Sequence, residues 1–413
     1  MTMPAIITCI IFVVVIILLV WQPVHPILIG AAIPAVLAAF KIIDGGTAYA
    51  EFGNTTVVFF MGLVVVGEAF FKTGLADYIG GKIIGLIGKT ERGLILGTSI
   101  VGGGLSAFLN DTGTTACLMP IVGSMAEKAN VPKSKLLMAL AYAASLGGTI
   151  TLIGTTPHIV ANGMLKDMGL HEFGFFEYTK IGLPLLIVGM IYMALIGTKL
   201  LPVKDIESKE GERKSEKNPA KMITVALIFL AVVIAMATKI VPMHIAGVFG
   251  ALLVVLTGCI SAQDAIKSFS VTTVFLVGGI FPLSKALVKT GAAKYIVDLL
   301  SPALHGLPPV LLIAAISLIM LVVTQFLLNS SATVLMLPIA ILVCQAANIN
   351  PLAGAMAVSG CASGVFTTPF GTGPNLLVWE AGGYTMKDYL KCGAPLLILF
   401  WIVTTALCSI IYL

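Results

Sequence analysis

The stretch Phe52–Tyr78 reads FGNTTVVFFMGLVVVGEAFFKTGLADY, and Phe269–Tyr295 reads FSVTTVFLVGGIFPLSKALVKTGAAKY. The same offset aligns Gly154-Thr155-Thr156-Pro157-His158 with Gly371-Thr372-Gly373-Pro374-Asn375. A slightly shorter one aligns YTKIGLPLLI, Tyr178–Ile187, with YLKCGAPLLI, Tyr389–Ile398. Apolar matches alone carry little weight, because all apolar helices look alike. Shared Thr-Thr, Lys-Thr-Gly, Gly-Thr-x-Pro and Lys-x-Gly-x-Pro in one order restrict the fold to two copies of one unit.

That unit cannot be a soluble one. Hydrophobic residues make up 58% of the chain and charged residues 10%, against about 45–50% and about 25% in soluble domains. Lipid must be the solvent for most of the surface, and a span needs about 20 apolar residues. Candidate spans are 5–21, 26–40, 54–71, 135–165 (interrupted), 181–199, 222–238, 243–260, 271–288, 352–381 (interrupted) and 393–412. The first lacks a basic flank and an A-x-A site, so it is expected to be a retained span and not a cleaved signal. Two further apolar regions, 92–127 and 305–347, are broken at their centres by polar clusters. Residues 203–221, VKDIESKEGERKSEKNPAK, are the one stretch that reads as an aqueous linker, and they divide the chain nearly in half. All seven cysteines fall in or beside apolar segments without metal-type spacing, as expected of small packing residues.

Charge supplies the orientation. If each polar-broken region enters and leaves by one face, each half crosses the membrane five times. With the N-terminus outside, most of the 24 Lys and Arg residues fall in inner-face loops, as the positive-inside rule requires. Both termini then lie outside, and an odd number of crossings inverts the second repeat relative to the first. The net charge of +5 is thereby assigned to topology and lipid headgroups, with no nucleic-acid partner. Lys285, Lys289 and Lys294 run against the rule. Glu68 and Lys285 occupy equivalent repeat positions and read as interfacial side chains that snorkel toward water. Residues 74–92 read as an amphipathic helix on the inner surface.

Four breaks in apolar sequence carry the chemistry: Leu109–Thr115, Gln325 with Asn329–Thr333, and the two Gly-Thr-x-Pro segments. Asn, Asp, Ser and Thr cap free N–H groups at helix starts. Unwound backbone at membrane depth survives only where protein or a water-filled cavity receives it. Inverted repeats bring such breaks together at a midplane site. Helix N-termini there offer positive dipole ends to an anion, while clustered oxygens suit a hard cation such as sodium. Arg92 and Arg213 are the only arginines, both in loops, so an anion has to be held without a guanidinium. Asp111 is the sharpest residue, since an ionisable group inside a membrane is a functional candidate by default. It reads as a cation ligand or proton carrier, with helix capping as the plainer alternative. His158 sits where the second repeat has Asn375 and is a weaker candidate for the pocket.

The tips NDTGTTACLMP, Asn110–Pro120, and NSSATVLMLP, Asn329–Pro338, together with the paired Gly-Thr-x-Pro segments, resemble the hairpin-tip and broken-helix signatures of the divalent anion/sodium symporter family. The resemblance covers nearly the whole chain. It departs at Leu109 and Leu328, where the family has Ser, and at Asp111 and Ser330, where it has Thr. It implies an all-α polytopic membrane protein of two inverted repeats of five spans, each with a re-entrant hairpin and an interrupted helix, working as an elevator. Residues 1–200 would form the first repeat, with scaffold 1–72 and transport part 92–200. Residues 201–221 would be a cytoplasmic linker. Residues 222–413 would form the second repeat, with scaffold 222–289 and transport part 305–413. The implied substrate contacts are Asn110, Asp111, Thr112, Thr156 and Pro157 from the first repeat. From the second they are Asn329, Ser330, Ser331, Gly373, Pro374 and Asn375. The implied sodium positions are Ser106, Asn110, Asp111, Thr114 and Gly154, with Gln325, Asn329, Thr333, Gly371 and Thr372. The expected function is sodium-coupled secondary transport of small divalent anions, most simply C4-dicarboxylates or related di- and tricarboxylates, by a homodimer in the plasma (inner) membrane, with sodium as coupling ion and no other cofactor. The alternative is an exchanger or proton-coupled carrier of another oxyanion such as sulfate or arsenite, with an anion channel behind it. Enzyme motifs such as H-E-x-x-H or G-x-S-x-G do not occur.

Overall fold

The computed structural model describes residues 2–21, 23–87, 90–204, 218–238, 240–269, 271–304 and 306–413. Most of the charged linker, 205–217 with Arg213, lies outside the described residues, as do Lys89 and Lys239 of the charge argument. In the first half the helices are α1 (Met3–Trp21), α2 (Pro26–Ala39), α3 (Gly45–Ala50), α4 (Thr55–Lys72), α5 (Leu75–Ile87), α6 (Glu91–Ser106), α7 (Asp111–Lys128), α8 (Lys133–Gly148), α9 (Thr156–Asp167) and α10 (Thr179–Tyr192), which a widened turn extends to Leu200. The second half runs through α11 (Pro219–Thr238), α12 (Met243–Leu256), α13 (Ala262–Lys267), α14 (Val271–Lys289), α15 (Ala292–Leu304), α16 (Pro309–Thr324), α17 (Asn329–Ala346), α18 (Pro351–Cys361), α19 (Gly373–Ala381) and α20 (Met386–Tyr412). The order of elements is the same in both halves, and no strand occurs among the described residues.

Local chemistry explains the boundaries. Asn54 caps α4 by accepting from the Thr56 N–H at 2.9 Å, and Thr90 caps α6 by accepting from Gly93 at 3.1 Å. The repeated Lys-Thr-Gly ends α4 and α14 because Gly74 and Gly291 take φ of 76° and 75°, a left-handed turn that favours glycine. Asn130 and Asn348 end α7 and α17 in the same region, each at φ 55°. The amphipathic helix expected over 74–92 is α5, with α15 as its counterpart.

The halves are joined by exchange. α2 packs on α14, and α12 packs on α4. A methyl group added at Gly279 would lie 1.9 Å from the Gly30 carbonyl oxygen, and one at Gly62 would lie 2.6 Å from the Gly247 carbonyl carbon. Gly30 and Gly247 are repeat equivalents, as are Gly62 and Gly279. Each half thus gives the other the contact it receives, as a two-fold relation demands, and backbones at both crossings approach as only small residues permit. A second group of helices is reciprocal in the same way: α9 packs on α17 and α18, and α19 packs on α7 and α8. α10 and α20 pack on each other.

Among the described residues six helices are long and apolar enough to cross a membrane: Gly45–Lys72, Thr179–Leu200, Pro219–Thr238, Val271–Lys289, Asn329–Ala346 and Met386–Tyr412. The expected spans at 26–40 and 243–260 are helices of 14 residues, which rise only about 21 Å, short of a hydrocarbon core of about 30 Å. Both end early because a turn follows at once, at Lys41 (φ 54°) and Gly258 (φ 70°). Lys285 does not snorkel. It is ion-paired with Glu51 and, at 3.5 Å, with Asp167. Its equivalent Glu68 lines a cavity between the helices. Sequence periodicity cannot show either arrangement, because the partners come from distant segments.

Candidate functional site

The four breaks converge on one cavity of about 440 Å³. Its lining takes Asn110, Asp111 and Thr112 from the first tip and Asn329 and Ser330 from the second. From the breaks come Thr155, Thr156 and Pro157 and, opposite, Gly371, Thr372 and Gly373. The starts of α7, α17, α9 and α19 therefore all meet here, so free N–H groups and positive dipole ends face one space. Direct contacts knit the breaks together. The Asn329 N–H donates to the Gly371 carbonyl at 3.1 Å, the Ser363 hydroxyl donates to Thr155 Oγ1 at 3.2 Å, and the Thr151 hydroxyl donates to the Ala107 carbonyl. A methyl group on Gly373 would strike Thr112 Oγ1 at 2.1 Å. Gly373 is thus the residue that lets the second break approach the first tip.

The two tips are built alike but filled differently. The Ser106 hydroxyl donates to the Ala144 carbonyl at 2.6 Å, and the Thr324 hydroxyl to the Ala362 carbonyl at 2.7 Å. The Thr115 hydroxyl donates to the Asp111 carbonyl at 2.9 Å, and the Thr333 hydroxyl to the Asn329 carbonyl at 2.8 Å. One offset relates all four pairs, so the structural equivalent of Asn329 is Asp111. Matching letters in the sequence align Asn329 with Asn110, but the hydrogen bonds align it with Asp111. Asn110 instead caps α7, its Oδ1 accepting from Thr112 N at 2.9 Å and Gly113 N at 3.2 Å. Asp111 is 6% exposed, and its Oδ1 accepts from Thr112 N at 2.6 Å and Thr112 Oγ1 at 3.1 Å.

The Asn329 amide faces Gly371 O at 2.7 Å, Ala362 O at 3.0 Å and Thr324 Oγ1 at 3.2 Å. Turned with its nitrogen inward, it donates to all three. Turned with its oxygen inward, it completes a cluster of four oxygens and no donor other than a hydroxyl, which is the environment a hard cation takes. With protein partners alone, the nitrogen-inward turn is the one that satisfies both ends of the amide.

Several expected contacts lie behind the lining. The Gln325 amide donates to Leu321 O and Gly364 O, both at 2.8 Å, while its oxygen accepts from Thr367 N and Oγ1. Both ends are spent on holding the second break, so no free oxygen is left for a cation. Asn375 donates to Val365 O at 2.9 Å and Thr368 O at 2.8 Å. Its counterpart His158 is stacked on Tyr178 at 3.6 Å, with Nδ1 at 2.8 Å from Thr151 O. Both side chains are 0% exposed, and both brace the unwound loops from behind. Ser331, Thr114, Thr333 and Pro374 are likewise buried away from the cavity surface. Ser106 serves through its hydroxyl–carbonyl bond, and Gly154 by an approach so close that an added methyl group would sit 2.9 Å from Ser106 O. What sequence reasoning missed is the opposite wall: Phe60, Leu63, Val64, Gly67, Glu68 and Phe71, all on α4. Only the acid within the apolar run GEAFF could have signalled it. The lining thus includes Asp111 and Glu68 but no Lys or Arg.

The citrate transporter family model matches residues 16–359. An uncharacterized transporter of Synechocystis sp., sll0640, is 22% identical, covering 99% of this chain and 97% of its own length. The sodium-dependent dicarboxylate transporter SdcS of Staphylococcus saprophyticus is 24% identical over 91% of this chain and 79% of its own. Among solved structures, the Alcanivorax borkumensis YdaH transporter matches with a TM-score of 0.65 over 99% of this chain and 98% of that one, at 14% identity, a likeness of fold. These relatives agree with the resemblance read from the tips and breaks. The chain belongs to the citrate transporter family, a family of membrane transporters.

Proposed function

We propose that the protein is a secondary active transporter of small divalent anions, C4-dicarboxylates or related di- and tricarboxylates, coupled to sodium. The observation that carries this reading is the cavity where four helix starts converge without a basic side chain. Backbone N–H groups and the hydroxyls of Thr156 and Ser330 would hold the carboxylates of the substrate. Cations would offset the charge of Asp111 and Glu68, which otherwise repel an anion. The oxygens around Asn329 are the best position for one sodium ion, and Asp111 is the equivalent ligand at the first tip. The SdcS relatives, named as sodium-dependent dicarboxylate transporters, point the same way.

The coupling movement is an elevator, with α6–α10 and α16–α20 carrying the site past α1–α4 and α11–α14 in a homodimer of the plasma membrane. The repeats are inverted, and both termini lie outside. In that orientation α9 closes the outer side against α4 and α14. The cavity reaches Glu68, Phe71 and Ser268 at the inner ends of the scaffold helices, so the arrangement faces inward. Purified protein in proteoliposomes would be given succinate, malate, citrate, tartrate or sulfate, with and without a sodium gradient. Sodium-driven uptake of at least one dicarboxylate is expected. Equal uptake without sodium would transfer the case to exchange or proton coupling, and no uptake of any would remove the substrate class.

A further inference from the structure

One charged cluster lies away from the cavity, and it bridges the two packing groups. Lys285 of α14 is ion-paired with Glu51, on the turn between α3 and α4, and with Asp167 Oδ1 at 3.5 Å. Glu51 and Lys285 both belong to the proposed scaffold. Asp167 is the last residue of α9, in the proposed moving part. The carboxylates are nearly shut off from solvent, with side chains 7% and 6% exposed, against 36% for the lysine.

The two acids are not held equally. Glu51 has a second partner in its own element, since Asn54 Nδ2 donates to its Oε2 at 2.7 Å. Asp167 Oδ2 is buried without a hydrogen bond, and its other oxygen has only the longer contact to Lys285. One ammonium is thus shared between a fully satisfied carboxylate that stays and a half-satisfied one that can leave. A second polar contact runs beside it, where Lys166 donates to Thr55 Oγ1 at 3.0 Å. Gly163, one turn earlier, lies so close to Phe281 and Thr56 that a methyl group there would sit 2.4 Å from the ring. At the other end Glu68, the repeat equivalent of Lys285, lines the open cavity.

We propose that Glu51, Lys285 and Asp167 form a releasable clasp that holds the α9 end shut while the cavity is open at the Glu68 end. This rests on the alternating movement proposed above. When α9 departs, Asp167 leaves with it, and Glu51 keeps the Lys285 charge neutralised on the scaffold. A buried ion pair of this kind gives little net stability but penalises any state that strands one partner. The clasp therefore sets the balance between the two states without being needed to fold either. Glu51 competes with Asp167 for the lysine, so the two carboxylates act in opposite directions.

The test is side-selective labelling of Ser330→Cys in the full-length protein, with a membrane-impermeant maleimide applied to spheroplasts or inverted vesicles. Every native cysteine except Cys9 is buried, and protein without Ser330→Cys gives the background. Lys285→Met and Asp167→Asn are expected to raise labelling from the Lys285 side about tenfold relative to the opposite side. Glu51→Gln, which leaves the lysine to Asp167 alone, is expected to lower it below the reference. A monodisperse elution profile identifies folded variants, and Glu51→Gln keeps the test decisive if Lys285→Met fails to assemble. No shift, or shifts of all variants in one direction, overturns the clasp. Equal labelling of the reference from both sides, unchanged by saturating sodium and succinate, would overturn the alternating movement itself and the clasp with it.

Discussion

At the first hairpin tip the residue that opens the second helix is a carboxylate, Asp111, and at the second tip it is an amide, Asn329. Around them the two sites share a hydroxyl–carbonyl bond, a back-bonded Thr and a break-loop Gly packed on the tip. With matching frames, the difference is one formal charge. A neutral cluster of oxygens binds a monovalent cation only as tightly as its dipoles allow. A carboxylate adds full Coulombic attraction in a low dielectric, and it also repels an anion whenever its cation is absent. Under the proposed sodium coupling, the first position would be the one where cation and substrate must arrive together, and the second the one where the cation can come and go.

The largest expected effects test whether the halves are equivalent where the frame is shared. We predict that Gly279→Ala and Gly62→Ala both abolish recovery of folded protein, because each places a methyl group within 2.6 Å of backbone on the other half. Overpacking of this kind costs about 1–3 kcal/mol even where neighbours can shift, and backbone at a helix crossing cannot shift far. Yield and thermal stability in detergent measure it. If one glycine tolerates alanine and the other does not, the exchange of contacts between halves is unequal.

Next come the tips themselves, where the halves should part. Asn329→Asp sets a carboxylate against Gly371 O, Ala362 O and Thr324 Oγ1, which repel it when the position is empty, while a bound sodium is held too tightly to release, so sodium-driven succinate uptake is expected to fall about a hundredfold. Asp111→Asn removes a charge but keeps the shape. It is expected to weaken the sodium requirement's half-saturation about tenfold, equivalent to about 1.4 kcal/mol, while the protein stays folded. Initial rates across a sodium series, at fixed succinate, separate the two. A sodium response of Asp111→Asn identical to the parent's would mean that Asp111 only stabilises the start of its helix.

The apolar spans were readable because their ends coincide with caps and turns whose chemistry is local: Asn54, Thr90, Gly74 and Gly291. That the polar breaks meet at one cavity was readable too, since polar residues in an apolar run have nowhere else to go. The register of the tips was not. Asn110 and Asn329 share a letter, but Asn110 precedes its helix while Asn329 opens one, and the matching hydrogen bonds at Ser106 and Thr324 reveal the shift. The roles of Gln325 and Asn375 were hidden for a related reason. Amides rank as ligands in a sequence, yet here unwound backbone needs donors and acceptors of its own, and these side chains supply them. Glu51, Asp167 and Lys285 are separated by more than a hundred positions in places, so no window of sequence contains their pairing.

The smallest effect is expected at the repeat pair His158 and Asn375. Each sits just past a break, and each holds a loop carbonyl from behind the lining. His158→Asn keeps a donor near Thr151 O but gives up the ring stacked on Tyr178 at 3.6 Å, an interaction of about 0.5–1.5 kcal/mol. Stability in detergent should drop by that amount, with succinate uptake and its sodium dependence within about twofold of the parent. The reverse exchange, Asn375→His, is harsher, because one imidazole N–H cannot satisfy both Val365 O and Thr368 O. A folded His158→Asn protein that had lost uptake would place the imidazole on the substrate path, contrary to its position behind the break. Uptake that survives with reduced stability makes the pair what the geometry indicates: different side chains serving one bracing task in two halves whose ligands have diverged.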